Sequence, residues 1–365
     1  MTSRRRVLAT LAASAGALAA VGCKPKETTT TANCESVETF EWKMVTAWPP
    51  NFPGLGTGAK FLAEQINTMS GGRLSVKVYG AGELIPAFEV FDAVSSGSAQ
   101  MGHAAAYYWK GKVPEAQFFG AVPFGMNAME MNAWLYHGGG LELWSEAYAP
   151  HNLAPFPAGQ TGVQMGGWFN KEINSVEDIK GLIMRIPGLG GEVLSRAGGT
   201  PQILPGAELF TALQTGTIDA TEWVSPYNDL AFGLHQAAQF YYYPGWHEPT
   251  ACLECMINKD AYQALPEDLQ SVVKIATMAA NQHMLSDYVA ANNKSLEALV
   301  QQHGVQLRAF PEEVLEVFKG HAEAVIQELG ESSPLAEKIY RSYRDFAKKT
   351  NSWLQISELS YLKAR

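Results

Sequence analysis

The chain has 365 residues and a formal net charge of −9 at pH 7. A chain of this length can bury a full hydrophobic core, and we expect it to be divided between two lobes. Residues 1–22 contain three Arg and no acidic residue, so their removal takes the net charge from −9 to −12. A chain this acidic, with no basic run, does not favour nucleic acid or an anionic membrane surface as its main partner, although one well-placed Arg can still bind a small anion.

Residues 1–22 predict an export signal peptide rather than a folded element. Arg residues at 4–6 precede an apolar run at 7–21 that is too short for a membrane span. The Arg run resembles a twin-arginine signal, which exports folded proteins. The small residues before Cys23 resemble a lipobox, and the alternative is ordinary cleavage within the Ala-rich stretch. We therefore expect a periplasmic protein with a flexible tether at 23–38, held at the membrane if Cys23 is lipidated.

Two further cysteines, Cys252 and Cys255, form a CxxC pattern within an apolar run at 250–257. If this run is a strand, residues three apart point to opposite faces and cannot form a disulfide with each other. A metal or redox site would need a turn or a second pair. The sequence predicts that both side chains are buried small apolar residues.

The first part of the chain alternates strand and helix patterns. Leu74, Val76 and Val78 alternate with polar residues, which is typical of a strand. The strands predicted in this way are 39–48, 73–80 and 101–109, and the helices between them are 56–70 and 88–96. A βαβαβ opening of this kind is typical of a parallel sheet flanked by helices.

A long helical stretch begins at Pro266 and ends before Gly304. At about 1.5 Å per residue, it is long enough to brace two lobes. Other predicted elements are helices at 127–148 (interrupted at 138–140), 188–198, 208–215, 225–238, 311–329 and 337–359, and a strand at 305–310.

Arg185 lies at the end of an apolar strand predicted for 182–186, directly before Pro187 and Gly188. Apolar runs of this kind suit a strand covered on both sides. A buried guanidinium there needs an anionic partner, and strand ends in open α/β sheets are where ligands bind. The alternative is that Arg185 extends from the strand end into solvent.

Oxygen donors and aromatic residues surround Arg185 in the sequence. Gln164, Glu222, Glu248 and the Trp223 carbonyl could hold Ca²⁺ or a monovalent cation, but this set does not suit zinc. Each acid could instead be a solvated strand end. Aromatic side chains could wall a pocket or simply pack in the core, and these are Trp168, Trp223 and Tyr108.

The sequence contains no nucleophile elbow, no dinucleotide-binding motif and no zinc-binding helix motif. Gly188, Gly190 and Gly191 do not form a dinucleotide-binding pattern, because Val193 stands where the third glycine is required. The segment after His247 is not a zinc-binding helix, because Pro249 follows Glu248. The absence of these motifs weighs against an enzyme. The alternative of a lyase or hydrolase that uses Glu222 as a base remains open, because a site assembled in space need not leave a sequence motif.

Five segments together resemble the DctP-type solute-binding proteins of TRAP transporters. More narrowly, they resemble the branch that binds 2-oxo acids together with a metal ion. The wider resemblance covers most of 39–359. The segments are Gln160–Phe169, Ile179–Pro187, Gly198–Pro201, Leu213–Trp223 and His247–Pro249.

This resemblance implies an α/β, two-lobed fold like that of periplasmic binding proteins, with the ligand cleft between the lobes. It implies that Arg185 binds the ligand carboxylate. It also implies that Tyr107 or Tyr108 contacts the ligand. The cation would be held by Gln164, Glu222, the Trp223 backbone and Glu248.

The expected first lobe is 39–158 with about 224–263, and the second is 159–223 with about 264–335. Residues 336–365 would form a C-terminal helical arm, through which members of the branch can dimerise. We expect an exported protein that captures a small 2-oxo or 2-hydroxy carboxylate with Na⁺ or Ca²⁺ and delivers it to TRAP membrane subunits. The other alternative is a ligand-sensing lobe that reports to a signalling partner.

Overall fold

The computed structural model describes residues 38–365. The expected signal peptide, the lipobox at Cys23 and nearly all of the expected tether lie outside these residues. Among the helices from residue 38 onward, none is long and apolar enough to cross a membrane.

Strands and helices alternate along most of the described chain. The strands are β1 (Phe40–Thr46), β2 (Leu74–Tyr79), β3 (Met101–Ala105), β4 (Leu153–Gln160), β5 (Gly167–Phe169), β6 (Ile183–Arg185), β7 (Thr200–Gln202), β8 (Ala220–Thr221), β9 (Phe240–Tyr243), β10 (Cys252–Asn258) and β11 (Gln306–Ala309). The helices are α1 (Leu55–Met69), α2 (Val90–Ser95), α3 (Gln117–Gly120), α4 (Ala128–His137), α5 (Gly140–Tyr148), α6 (Gly188–Arg196), α7 (Leu209–Gln214), α8 (Pro226–Phe232), α9 (Lys259–Gln263), α10 (Glu267–Glu297), α11 (Glu312–Glu331), α12 (Pro334–Ile356) and α13 (Glu358–Ala364).

The first sheet has the strand order β2-β1-β3-β10-β4. Its first three strands are parallel, as the βαβαβ pattern predicts, and β10 is antiparallel to both of its neighbours. Cys252 and Cys255 lie on β10, are buried and form no disulfide with each other. The predicted strand at 101–109 ends at Ala105, because the chain turns into a short 3₁₀ helix at Ala106–Trp109.

The second sheet has the order β11-β9-β5-β8-β6-β7. The segment 224–263 was expected in the first lobe. Its strand β10 does join the first sheet, but its strand β9 pairs with β5 and β11 in the second sheet. Of the segment 264–335, which was expected in the second lobe, β11 joins the second sheet but α10 packs on α1 and β4 of the first lobe. The return crossing between the sheets therefore lies at 244–251 rather than at about 224.

The break between α4 and α5 lies at the three consecutive glycines. Asn127 caps α4 in a capping box with Glu130. Gly139 then adopts a φ of 83°, a left-handed conformation that glycine reaches without strain. The helix pattern predicted for 127–148 is therefore two helices, separated at Gly138 and Gly139.

The C-terminal helix α12 divides into two parts with different surroundings. Ile339 and Tyr343 are buried within the chain, and the Tyr343 hydroxyl accepts a hydrogen bond from the Met126 backbone N–H at 2.9 Å. By contrast, Trp353 and Ile356 are 63% and 70% exposed. The arm expected for 336–365 therefore projects only in its later part, because the first turns of α12 are packed on the fold.

Candidate functional site

Two crossings between the sheets, 161–166 and 244–251, bring the candidate site residues together. Gln164 lies on the first crossing and Glu248 on the second. The Gln164 backbone N–H donates to the Glu248 carbonyl at 3.2 Å. Gly245 donates to the Gln164 carbonyl at 2.9 Å, and a Cβ at Gly245 would lie 2.2 Å from that oxygen. The crossings can therefore approach this closely only with glycine at this position.

Arg185 and Glu222 form a buried ion pair at the edge of the second sheet. Arg185 ends β6, Glu222 follows β8, and each is 1% exposed. The guanidinium Nη1 donates to Glu222 Oε1 and to the Glu222 carbonyl, and Nε donates to the Leu204 carbonyl at 3.2 Å. The anionic partner predicted for Arg185 is thus supplied within the chain by Glu222. Arg185 does not extend into solvent.

The remaining donor of Arg185 is directed toward the aromatic residues. Nη2 lies 3.5 Å from the Tyr108 hydroxyl, and the guanidinium carbon lies 5.1 Å from the centre of the Trp223 ring. Burial raises the pKa of Tyr108 to about 12, against the opposing effect of Arg185. The Tyr108 hydroxyl is therefore neutral. It lies beside Nη2, the guanidinium nitrogen whose hydrogen bond within residues 38–365 is the longest.

His247 and Glu248 complete a cluster of three buried metal-ligating side chains with Glu222. One donor atom from each lies within 4.8 Å of the others. His247 Nε2 is 3.4 Å from Glu222 Oε2. Burial first, and then the charge of Glu222, raise the pKa of Glu248 well above its usual range. Two carboxyl groups held this close together in a buried site favour a cation between them.

Gln164 supplies an oxygen that fits such a cation. Its Nε2 donates to Glu248 Oε2 at 2.7 Å and to Thr161 Oγ1 at 3.1 Å. Its Oε1 is buried and accepts no hydrogen bond from the residues that the structure describes. Buried polar atoms are normally paired, so the amide oxygen is suited to act as a ligand. The donor set of Gln164, Glu222 and Glu248 is rich in hard oxygen and fits Na⁺ or Ca²⁺.

A small cavity of about 10 Å³, room for about one water molecule, adjoins Gln164. Tyr107 and Tyr108 both line it, as does Trp223. A Cβ at Gly188, where φ is 61°, would lie 3.2 Å from Tyr107 Cβ, so this glycine lets α6 approach the tyrosines. The cavity is lined by Trp48, Leu55, Tyr107, Tyr108, Thr161, Gln164, Trp223, Val224, Ala251 and Leu253.

Trp168 is the predicted site residue that the structure brings neither to the cavity nor to the buried charged cluster around Glu222. It is fully buried on β5, stacks on Tyr241 with ring centres 4.0 Å apart, and donates from Nε1 to Asp229 at 3.0 Å. The core-packing alternative therefore describes it. Trp48 and Thr161, which line the cavity, and His247, which joins the buried cluster, were not predicted as site residues. Only His247 had a sequence signal, because it stands next to Glu248.

Two α/β lobes are joined by the crossings 161–166 and 244–251 and by the passage through α10 to β11. Together with a sealed polar cluster and a cavity between the sheets, they define the class of two-lobed solute-binding proteins. The chain belongs to the DctP family, described as bacterial extracellular solute-binding protein, family 7, whose sequence model matches residues 44–333. The prediction of this family and of a binding protein rather than an enzyme is thereby confirmed.

Individual relatives are similar over nearly the whole chain. The monocarboxylate 2-oxoacid-binding periplasmic protein of Nostoc sp. is 42% identical over 358 residues, which are 98% of this chain and 97% of the relative. A TRAP periplasmic solute-binding protein from Pseudoalteromonas atlantica, solved with bound sodium and pyruvate, is 42% identical with a TM-score of 0.87. Another from Colwellia psychrerythraea, solved with bound calcium and pyruvate, is 43% identical with a TM-score of 0.88. The chain covers 100% of each of these two structures, which in turn cover 90% of it.

Proposed function

We propose that this chain captures pyruvate or a similarly short 2-oxo or 2-hydroxy monocarboxylate, together with Ca²⁺ or Na⁺, for a TRAP transporter. The observation that supports this most is Gln164 Oε1, which has no hydrogen-bond partner among residues 38–365 and lies beside two buried carboxyl groups and the cavity. The relatives solved with pyruvate bind one cation or the other, which fits this donor set.

A cation is needed because the site already holds negative charge. A ligand carboxylate ~4 Å from Glu222 would be repelled by about 4 kcal/mol at an effective dielectric constant of ~20. Arg185 cannot relieve this alone, since its Nη1 is occupied by Glu222. A cation held by Gln164, Glu222, Glu248 and the Trp223 backbone would offset the repulsion and favour the ionised form of Glu248.

In this arrangement the ligand carboxylate would meet Arg185 through Nη2, which is the side that faces Tyr108. Tyr107 and Tyr108 would contact the ligand from the first lobe, and Trp223 from the second. The apolar lining at Leu55 and Leu253 would suit a short alkyl end rather than a second carboxylate.

The test is a calorimetric titration of the purified protein with pyruvate in three buffers: one with Ca²⁺, one with Na⁺, and one free of both ions. We expect affinity to be high with at least one cation and to fall sharply without either. A ligand at 100 times its Kd should also raise the stability by about 2.7 kcal/mol. Unchanged affinity in the cation-free buffer would contradict the cation role, and no binding in any buffer would contradict pyruvate as a ligand.

We also propose that the exported protein is tethered to the membrane through a lipid on Cys23, with residues 23–38 as the tether. The support is the run of small residues before Cys23 and the basic start of the chain. Cys23→Ala should move the protein from the membrane fraction to the soluble periplasm, as measured by fractionation and immunoblotting. A wild-type protein that is already fully soluble would show that this proposal is wrong.

A third proposal is that two copies of the chain form a homodimer through the projecting part of α12 and α13. The support is the concentration of exposed apolar side chains there, which isolated monomers seldom show. These are Trp353, Ile356, Tyr361 and Leu362.

A further inference from the structure

Each lobe contains a buried carboxylate that accepts hydrogen bonds from one Trp indole and one Tyr hydroxyl. In the first lobe, Glu254 accepts from Trp109 Nε1 at 2.5 Å and from the Tyr148 hydroxyl at 2.7 Å. All three side chains are buried, with Glu254 itself fully inaccessible. Neither donor carries a charge. No ion pair with Trp109 or Tyr148 therefore offsets the free-energy cost of burying this carboxylate.

The second lobe repeats the arrangement with other residues. Asp229 on α8 accepts from Trp168 Nε1 at 3.0 Å and from the Tyr241 hydroxyl at 2.7 Å. It also accepts from the Val224 backbone N–H at 3.3 Å, two residues after the buried Glu222. The buried position of Trp168 thus places a donor against the carboxylate that holds the segment after β8.

The first-lobe carboxylate is connected to the ligand site through the chain itself. Trp109 is the last residue of the 3₁₀ turn Ala106–Trp109, and this turn presents Tyr107 and Tyr108 to the cavity. Tyr148 ends α5, so Glu254 ties the turn both to strand β10 and to a helix. Side chains held in this way lose little freedom when a ligand arrives.

We infer that Glu254 is a positioning residue, which fixes the Ala106–Trp109 turn and thereby places Tyr107 and Tyr108 for the ligand. Glu254 belongs neither to the cavity lining nor to the cluster of Glu222, His247 and Glu248, and it acts through Trp109. The inference rests on the proposed function for its effect on affinity, but not for its effect on the turn.

The test compares two disruptive variants with two matched controls. Trp109→Phe removes the indole donor, and Glu254→Met removes the acceptor while keeping the length of the side chain. Trp134→Phe is the control for the first, because Trp134 is also fully buried in this lobe and donates to Ser342 at 3.1 Å. Glu254→Gln is the conservative control, because its amide can accept from Trp109 and donate to the Tyr148 oxygen.

Two measurements separate positioning from general stability: calorimetric titration of pyruvate with Ca²⁺, and hydrogen exchange of the ligand-free protein by mass spectrometry. We expect Trp109→Phe and Glu254→Met to weaken binding about tenfold or more, as loss of supporting partners typically does. Trp134→Phe and Glu254→Gln should stay within about threefold of the wild type. Exchange at 106–112 should be faster only in the two disruptive variants.

The inference is overturned if Trp109→Phe binds and exchanges like Trp134→Phe, and this outcome decides the matter even if Glu254→Met does not fold. If the wild type binds no pyruvate, the proposed function fails. In that case the exchange rates at 106–112, which need no ligand, still decide whether Glu254 fixes the turn.

Discussion

Arg185 is both the predicted ligand anchor and the buried partner of Glu222. A planar guanidinium is not replaced by an ammonium group, so Arg185→Lys should lose about 2–5 kcal/mol of binding free energy. Arg185→Met should lose nearly all binding and also lower Tm, because Glu222 is then buried without its partner, which typically costs about 3–5 kcal/mol. Calorimetry with pyruvate and thermal unfolding are the measurements.

The double variant Arg185→Met with Glu222→Gln distinguishes the two roles of Arg185. Removing both charges should restore much of the Tm while leaving binding abolished. If a folded Arg185→Met protein binds within a few-fold of the wild type, Arg185 is not the anchor.

Gln164 offers a separate test of the cation site. Gln164→Met removes the unpartnered oxygen, so the Ca²⁺ affinity measured with saturating pyruvate should fall about tenfold or more. Gln160→Met is the matched control, since the Gln160 amide is already paired with Thr250 and Asn132 at 2.8 and 2.9 Å. Equal losses in both variants would mean that Gln164 is not a ligand.

Glu254 should also make stability depend on pH. Burial raises its pKa to about 7 in the folded protein, whereas an unfolded Glu titrates near ~4.3. The folded state therefore keeps a proton that the unfolded state has released, and stability falls as pH rises from about 4 to about 7. The lowered pKa of His103, about 4, acts in the opposite direction below ~6.5.

The contribution of Glu254 is isolated by comparing Glu254→Gln with the wild type between pH 5 and pH 8. The wild type should lose about 3 kcal/mol more over this range than the variant, because only the wild type ionises a buried carboxyl there. Denaturant unfolding at each pH measures this difference. Parallel curves for the two proteins would contradict the prediction.

At the scale of elements, the proposed dimer is best tested by shortening the chain within α12, because only the later part of this helix projects from the fold. A cut after Ser333 would remove Ile339 and Tyr343 from the core, so its effect on mass could reflect unfolding. A chain ending at Asn351 keeps these residues and removes Trp353 and everything after it. We expect light scattering to show a dimer for the full chain and a monomer for the shortened one, with similar Tm values. A monomeric full chain would exclude the dimer.

Elements with strong local patterns could be predicted from the sequence. The βαβαβ opening, the long helix and the buried β10 follow from periodicity and from glycine or proline boundaries. The return crossing at 244–251 could not be placed. β9 has four residues and β10 has seven, both consist mostly of apolar or aromatic residues, and only pairing with distant strands assigns them to different sheets.

The residues of the candidate site could likewise be predicted only where the local sequence marks them. Arg185 stands out as a charge in an apolar strand, and Glu222 and Gln164 stand near strand ends. Trp168 does not differ locally from a pocket-lining residue, and its bond to Asp229 joins residues 61 positions apart. Glu254 and Trp109 are 145 positions apart, so no local pattern in the sequence connects them.

At the scale of the whole molecule, the burial of the charged site residues controls when a solute can enter and leave the site. Arg185, Glu222 and Glu248 are at most 4% exposed, so a solute in free solution cannot touch them while the sheets keep this arrangement. Capture then waits for the lobes to part, and escape waits for them to part again. The residence time of the solute therefore includes the time that the lobes take to part. A membrane partner that moves the lobes apart would separate Tyr107 and Tyr108 from Arg185 and so release the solute.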